Sequence, residues 1–123
     1  KDKRHPKHDY LYKNIKKSLL PNSESLKNTL ERVKPLWFKQ ILPKLEFGEN
    51  VLIVAHGNSL RAIVKMIKDL SKEEVLKLNI PTGTPYLFQF DDKFKIVSDE
   101  YLGDKNEINK KIKLVADQVS IKP

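Results

Sequence analysis

Apolar residues recur at intervals of three and four through the first half of the chain. They begin after Ser23 and Ser25, either of which is a plausible N-cap, and they form one stripe of a long helix. Two prolines fall inside the pattern. Each removes a backbone donor, so we expect a kink at Pro35 and an end near Pro43, with Gly48 closing the segment. The stripe consists of Leu26, Leu30, Val33, Trp37 and Ile41.

A continuous apolar run rich in β-branched residues occupies positions 50–55 (NVLIVA). Such a run is typical of a strand that is buried on both faces of a mostly parallel sheet. Residues 58–67 return at once to helical spacing, so the chain passes from strand to helix through His56 and Gly57. This order predicts an α/β crossover with a polar corner at the carboxyl end of the strand.

The second half of the chain predicts shorter elements. Ser71, with Glu74 at the capping-box position, predicts a short helix, and the loop at residues 80–85 (IPTGTP) ends it. Residues 86–90 and 94–97 are separated by a polar turn and predict a hairpin.

The two ends of the chain predict less regular structure. Residues 1–21 have the pattern of a loop with a short helix over residues 9–17, and a polar helix or tail follows Gly103. A strand buried on both faces needs a neighbour on each side, whereas this chain offers only a hairpin, which belongs at a sheet edge. We therefore expect the central strands to come from a partner chain or from a missing amino-terminal segment.

Composition narrows the class of protein. The 123 residues correspond to one domain, and they contain no apolar run that suggests a membrane span or a signal peptide, so a cytoplasmic protein is expected. The absence of cysteine fits a reducing compartment. The net charge of +8 favours an anionic partner, either nucleic acid, an acidic lipid surface or a phosphorylated metabolite. Because the basic residues are interleaved with sixteen acidic ones, a solvated surface is favoured over a nucleic-acid-binding stripe.

The corner at His56 is the candidate site. Ligands of open α/β sheets bind at the carboxyl ends of strands, where Gly57 permits close approach and the following helix offers free amides. A histidine in this position can hydrogen-bond a phosphoryl oxygen. The alternative, in which His56 only caps the helix or satisfies a buried carbonyl, has about even weight on the spacing alone.

Five stretches resemble the cofactor-dependent phosphoglycerate mutases of the histidine phosphatase superfamily. The most specific is residues 55–62 (AHGNSLRA), which resembles the second histidine motif of that family. The resemblance covers nearly the whole chain. The other four stretches are residues 78–85 (LNIPTGTP), residues 101–103 (YLG), residues 23–26 (SESL) and residues 4–6 with 8–9 (RHP and HD).

The resemblance implies an α/β fold in which residues 1–123 form the carboxyl-terminal portion of a single phosphoglycerate mutase-like domain. That domain is a three-layer α/β/α structure with a mostly parallel sheet, and its amino-terminal strands are expected to be missing here. The implied activity is that of a glycolytic and gluconeogenic isomerase, which interconverts 2-phosphoglycerate and 3-phosphoglycerate through a phosphohistidine. The implied cofactor is 2,3-bisphosphoglycerate, the phosphoryl donor.

The family's nucleophile is a histidine in an Arg-His-Gly motif, and this sequence has no such motif. The triplet at residues 4–6 is no substitute, because proline replaces the glycine and no strand precedes it. The chain alone is therefore expected to be an inactive fragment. By resemblance, His56 is the second catalytic histidine and Gly57 and Asn58 bind substrate.

Further roles are weaker expectations. Arg61 could face the phosphates, although an arginine there more often pairs with a surface carboxylate, and Thr82 with Gly83 would shape a loop near the pocket. His5 and His8 make a weak metal site, so we predict no metal. The lysine-rich tail resembles a flexible lid.

The resemblance also implies a small anionic phosphorylated substrate and a homo-oligomer for the full-length protein, with neither nucleic acid nor membrane as partner. Two alternative functions remain open. One is a phosphatase of the same superfamily, in which water accepts the phosphate. The other is a non-catalytic basic binding module for nucleic acid or a protein, which salt-sensitive DNA binding would support.

Overall fold

The computed structural model describes residues 5–20 and 23–120, with the side chains of 118–120 left aside. Within these ranges the chain combines helices with a two-stranded antiparallel sheet. No helix in the described part is long and apolar enough to cross a membrane. The helices are α1 (Leu26–Leu36), α2 (Leu42–Glu46), α3 (Gly57–Ile67), α4 (Lys72–Lys77) and α5 (Lys105–Ser120), and the strands are β1 (Tyr86–Phe90) and β2 (Ile96–Tyr101).

Ser25 is the residue that begins α1. Its hydroxyl accepts a hydrogen bond from the Asn28 amide at 3.2 Å, and the Asn28 side chain accepts one from the Ser25 amide at 3.1 Å. This reciprocal capping box satisfies two amides that the first turn of a helix leaves unpaired. Of the two serines that the sequence offered as caps, Ser25 is therefore the one used.

The two prolines do not interrupt the long helical segment. Pro35 lies within α1, and the chain continues through a π-helical turn, Trp37–Ile41, into α2, which contains Pro43 near its start. A proline has no N–H for the carbonyl four residues before it, and its ring crowds that carbonyl. The wider turn relieves this conflict, and the Leu42 amide accordingly bonds to the Trp37 carbonyl. The sequence did not predict this turn.

Gly48 ends the segment, as predicted. Its φ of +78° lies in the left-handed region that favours glycine. The Gly48 amide bonds to the Leu45 carbonyl at 2.9 Å, and the Glu49 amide bonds to the Lys44 carbonyl at 3.0 Å. These two bonds form a Schellman motif, which turns the chain out of the helix and towards His56.

Residues 51–55 depart most from the prediction. They are extended, but no backbone hydrogen bond joins them to any other residue that the structure describes, so they are not a strand of a sheet. Leu52 and Val54 are 85% and 86% exposed, so the prediction of burial on both faces is wrong for this chain. The physical reason is that a strand requires paired neighbours, and the described part of the chain supplies none here. The mostly parallel sheet stays a prediction.

The main core lies between α1 with its π-helical extension and α3. Val33, Trp37 and Ile41 form the predicted apolar stripe and pack with Ile63. Burying a side chain of this size contributes about 1.5–3 kcal/mol, so these four residues dominate the packing of this region. Partly buried side chains surround the cluster, namely Leu42, Leu45, Val51, Ile53, Met66, Ile67 and Phe90.

The cap of α4 and the first strand of the hairpin follow the sequence closely, whereas β2 covers Ile96–Tyr101 and not the predicted residues 94–97. Ser71 and Glu74 form the predicted capping box of α4, with the Ser71 amide bonded to the Glu74 carboxylate at 2.7 Å. This hydrogen bond holds the pKa of the Glu74 carboxyl below its usual value. The polar tail is the helix α5, which buries Ile108. The opening loop differs from its prediction, because short 3₁₀ turns take the place of one helix over residues 9–17.

The hairpin is anchored to the end of α3 by a partly buried ion pair. The Lys68 ammonium lies 2.7 Å from Asp99 Oδ2 on β2, and the Tyr86 hydroxyl donates to the same oxygen. The rings of Tyr86 and Tyr101 stack with centroids 4.2 Å apart. Burial raises the pKa of Tyr101 to about 12. Burial alone would raise the pKa of Asp99, but hydrogen bonds from Lys68 and Tyr86 outweigh it and hold that pKa below its ordinary value.

We predict that Asp99→Asn destabilises the chain by about 1–3 kcal/mol, because the Lys68 ammonium loses its charged acceptor. Since the pKa of Asp99 is lower in the folded state, the unfolded chain takes up this proton first as the pH falls. The stabilisation by the Asp99 carboxylate is therefore complete above about pH 4, and it is lost as the pH falls through the pKa of Asp99 in the folded chain. Urea unfolding between neutral and acidic pH measures both effects.

Asp92→Asn is the matched control, because Asp92 is exposed in the hairpin turn. We expect it to change stability by less than about 0.5 kcal/mol and to keep the acid dependence of the parent chain. Equal effects of the two substitutions would show that the Lys68–Asp99 pair does not anchor the hairpin.

Candidate functional site

His56 stands at the junction between the extended segment and α3. Its backbone is extended, with φ −63° and ψ 147°, and its carbonyl accepts the Leu60 amide at 3.1 Å as the first bond of the helix. Its imidazole is exposed and makes no capping hydrogen bond. The alternative in which His56 serves as a side-chain cap or satisfies a buried carbonyl therefore does not describe this structure. The ring is available to a ligand.

The first turn of α3 presents backbone amides beside this imidazole. The amides of Gly57, Asn58 and Ser59 precede the Leu60 amide, which is the first amide with an intrahelical acceptor, so the helix leaves them for a ligand or for water. A Cβ built on Gly57 would meet no atom within 4 Å, so the approach to its backbone is open. Amides at a helix N-terminus attract anions, and phosphate is a frequent example.

A cavity of about 510 Å³ opens beside this helix end. It is bordered by the beginning of α1 on one side and by the beginning of α3 on the other. Two arginines contribute positive charge, and one glutamate opposes them. The lining residues are Glu24, Leu26, Thr29, Arg32, His56, Asn58, Ser59 and Arg61.

Glu24 and Arg32 form a two-point ion pair at this cavity. Arg32 Nε lies 2.9 Å from Glu24 Oε1, and Nη2 lies 3.1 Å from Oε2. The hydrogen bond from Arg32 lowers the pKa of Glu24, and the hydrogen bond to Glu24 raises the pKa of Arg32. Both side chains remain largely exposed, so the pair contributes little to stability. Its chemical effect is to orient the guanidinium and to offset its charge.

Arg61 lies on α3 and points one arm of its guanidinium towards α4. Nη2 donates to the Val75 carbonyl at 2.6 Å, while the buried Nε finds no hydrogen-bond partner among the described residues. The surface carboxylate that the sequence suggested as its usual partner is not what it contacts. Among the residues that the structure describes, no carboxylate neutralises the charge of Arg61, and its guanidinium ties α3 to the Val75 carbonyl of α4.

The structure brings together part of the predicted site. His56, Asn58 and Arg61 line the same cavity, and Gly57 lies between the first two as the first residue of α3. Thr82 and Gly83 lie in an exposed turn and are absent from the lining of this cavity. Their proposed role near the pocket stays a prediction.

Two charged residues of the lining, Glu24 and Arg32, received no role from the sequence. Glu24 and Arg32 are eight positions apart, and Glu24 precedes the helix cap, so no helical spacing pairs them. The signal that could have found Glu24 is the stretch 23–26 (SESL), which carried a resemblance but no chemistry. Arg32 lies outside every stretch that carried the resemblance. Among the described residues, no group of three or more His, Asp or Glu side chains could hold a metal ion. His5 instead accepts a hydrogen bond from the Lys7 amide, and Arg4 of the RHP triplet lies outside the described residues.

The cavity brings together an exposed histidine, two arginines and helix amides that have no intrahelical acceptor, a combination that suits phosphoryl groups. It is therefore a candidate anion site in an α/β protein. Comparison with known families agrees, because residues 2–99 match the histidine phosphatase superfamily, branch 1. The chain belongs to this superfamily.

Curated relatives carry a more particular name, 2,3-bisphosphoglycerate-dependent phosphoglycerate mutase. The chain is similar to those of Parabacteroides distasonis and Treponema denticola, with 48% and 50% identity, and to mutase 2 of Bacteroides thetaiotaomicron, with 44% identity. Each match extends over 117 residues, which is 95% of this chain and 47% of the relative. The chain thus spans about half the length of these relatives, and it matches their carboxyl-terminal half.

We predict that Arg61→Met lowers stability by about 1–2 kcal/mol, because the Val75 carbonyl loses its donor and α4 loses its tie to α3. Urea unfolding gives the change in stability, and hydrogen exchange of the α4 amides reports the loosened contact. Arg32→Met is the control on the same cavity, and we expect a much smaller shift in its unfolding midpoint because its pair with Glu24 is solvent-exposed. Unchanged α4 exchange in Arg61→Met would contradict the tie.

Proposed function

We propose that this chain is part of a 2,3-bisphosphoglycerate-dependent phosphoglycerate mutase, which interconverts 2-phosphoglycerate and 3-phosphoglycerate through a phosphohistidine. The observation that carries the proposal is the exposed His56 at the N-terminus of α3, in a cavity that two arginines also line. Identity of 44–50% to proteins of that name supports the choice of reaction. The chain contributes one half of the phosphate site.

His56 acts on the phosphoryl group during its transfer. Charge spreads over the three equatorial oxygens in the transition state, and donors that face those oxygens lower the barrier. His56 can offer such a donor because its ring makes no hydrogen bond to the helix that it precedes. The amides at Gly57 and Asn58 would hold the substrate in line with this imidazole.

The residues of the cavity suit 2,3-bisphosphoglycerate by charge. That molecule carries two phosphates and a carboxylate, and the cavity offers Arg32, Arg61, His56 and the amides of α3. When bound, it supplies the phosphoryl group. No carboxylate within the described part of the chain offsets the charge of Arg61, whereas Arg32 shares its charge with Glu24.

This chain should not turn over substrate by itself. Its sequence has no Arg-His-Gly motif. The nucleophile would therefore have to come from the half of the relatives that this chain does not match. The same holds for the acid/base carboxylate that the reaction needs. The lid role of α5, a homo-oligomeric full-length protein and a cytoplasmic location remain predictions of the same proposal.

A superfamily phosphatase is the second candidate, since it would use the same anion site with water as acceptor. The names of the relatives favour the mutase. A non-catalytic basic binding module is a third reading, which rests on the net charge of +8. This alternative is disfavoured because the candidate site residues line one cavity and do not form a continuous basic stripe.

The test is a coupled assay of the natural gene product that contains this sequence, with and without 2,3-bisphosphoglycerate. We expect cofactor-dependent formation of 2-phosphoglycerate, and we expect His56→Ala to lower kcat by about 10²–10⁴ because the transferring phosphoryl group loses a donor. His8→Ala, at an exposed position in the opening turn, should retain activity.

Other outcomes separate the alternatives. Release of inorganic phosphate without isomerisation would identify a phosphatase. Absence of turnover together with salt-sensitive DNA binding would identify a binding module. Retention of full activity in His56→Ala would remove the assigned role of His56 under any of these functions.

A further inference from the structure

Glu24 is the charged residue of the candidate site to which the proposed function assigns no role. It lines the cavity of about 510 Å³ beside His56, which we call the His56 cavity, and it brings a negative charge into a site suited to anions. The hydrogen bond from Arg32 lowers the pKa of Glu24, so the carboxylate is charged at neutral pH. Such a carboxylate either orients Arg32 for a ligand or competes with the ligand for Arg32.

The contact between Glu24 and Arg32 has the geometry of an arginine that holds an oxyanion. Arg32 donates from Nε to Glu24 Oε1 at 2.9 Å and from Nη2 to Oε2 at 3.1 Å. A guanidinium binds phosphate through the same kind of parallel two-point contact. The two oxygens of Glu24 therefore occupy the edge of Arg32 that a phosphoryl group would use.

Solvent exposure makes this ion pair easy to open. The side chains of Arg32 and Glu24 are 63% and 43% exposed. Water and salt screen the attraction between exposed charges, and holding two long side chains in one geometry costs conformational entropy. An anion that enters the cavity therefore competes with a weakly held carboxylate.

Glu24 is free to move without disturbing the fold. It precedes the cap of α1, and the capping hydrogen bonds run between Ser25 and Asn28. Withdrawal of the Glu24 carboxylate would break no backbone hydrogen bond of the helix. Arg32, in contrast, lies within α1 next to Val33, which is buried in the core, so its backbone position is fixed. The carboxylate is therefore the member of the pair that a ligand can displace.

We propose that Glu24 is a specificity-determining residue of the His56 cavity, an internal competitor that an oxyanion must displace in order to bind Arg32. The ligand class is an anion with two oxygens that can replace those of a carboxylate, as in phosphate or sulfate. A halide ion has one atom and cannot reproduce the two-point contact. Glu24 acts through Arg32 and touches no reacting atom. The inference rests on the anion site of the proposed function but not on the isomerisation.

The test titrates the natural gene product that contains this sequence with sodium sulfate at neutral pH and constant ionic strength. Sulfate cannot transfer a phosphoryl group, so the measurement is independent of mutase activity. The NMR signal of the Arg32 Nε–H, assigned with Arg32→Lys, reports directly on the edge that Glu24 occupies. We expect sulfate to shift this signal, and we expect sodium chloride at the same ionic strength to leave it in place.

Glu24→Gln separates competition from orientation. The amide keeps the size of the side chain but removes its charge, so we expect the Kd for sulfate to fall by about two- to fivefold, the range set by an exposed ion pair. Glu31→Gln is the matched control, because it removes the same charge from α1. Glu31 pairs with Lys34 at 2.9 Å and lies outside the cavity lining, so sulfate affinity should not change. Urea unfolding would verify that both variants fold.

Several results would overturn the proposal. Weaker sulfate binding by Glu24→Gln would show that Glu24 orients Arg32 for the anion, and unchanged binding would show that it has neither role. An Arg32 signal that does not respond to sulfate would exclude displacement. An equal gain in Glu31→Gln would reduce the effect to net charge.

The outcome for the proposed function is separate. The expected sulfate results in a gene product that does not isomerise phosphoglycerate would keep this inference and remove that function. A working mutase whose sulfate affinity does not respond to Glu24→Gln would do the reverse.

Discussion

Apolar packing between the long helical segment and α3 positions every part of the candidate site. Val33, Trp37 and Ile41 come from the first element and Ile63 from the second, and the His56 cavity lies between the starts of the same two elements. Arg32 directly precedes Val33, and Arg61 lies two residues before Ile63, so these core contacts hold the two arginines on the facing helices. The site contains little rigid structure of its own, since its ion pair is exposed and its histidine ring is free.

The π-helical turn shows how that packing tolerates an unfavourable sequence. Pro35 precedes the turn and Pro43 follows it. The core residues Trp37 and Ile41 are the first and last residues of the turn. In a regular α-helix, the carbonyl four residues before Pro43 would be crowded by the proline ring and would have no N–H donor. Widening the turn removes this conflict while Trp37 and Ile41 remain buried, so the core contacts outweigh the poorer hydrogen-bond geometry of the wide turn.

Local signals in the sequence predicted the local structure well. The capping box at Ser71 and Glu74, the Gly48 terminator and the hairpin are each determined by residues within a few positions of one another, so a single sequence reveals them. Residues 51–55 can pair only with strands that are distant in the sequence or that belong to another chain. An apolar run does not indicate whether such strands are present. The Glu24–Arg32 pair was missed for a similar reason, because it depends on how the chain enters α1 and not on helical spacing.

The sequence predicted the central residues of the candidate site but not the contacts of the residues around them. His56, Gly57 and Asn58 follow directly from a strand-to-helix corner, whose chemistry is local. The partner of Arg61 could not be foreseen, because the Val75 carbonyl reaches it only through the packing of α4 beside α3.

The unpaired segment at residues 51–55 is connected to the candidate site. Residues 51–55 end at His56, so the backbone that fixes the imidazole is the same backbone that has no partner in the described structure. Pairing it on both sides would restrict the position of His56 without any new contact to the ring. The cavity also has little positive charge of its own, because Glu24 offsets Arg32 and leaves Arg61 as the principal cation among its described lining residues. A ligand with several negative charges requires more donors than these residues supply, and the position of His56 depends on backbone that is itself unpaired in the described structure.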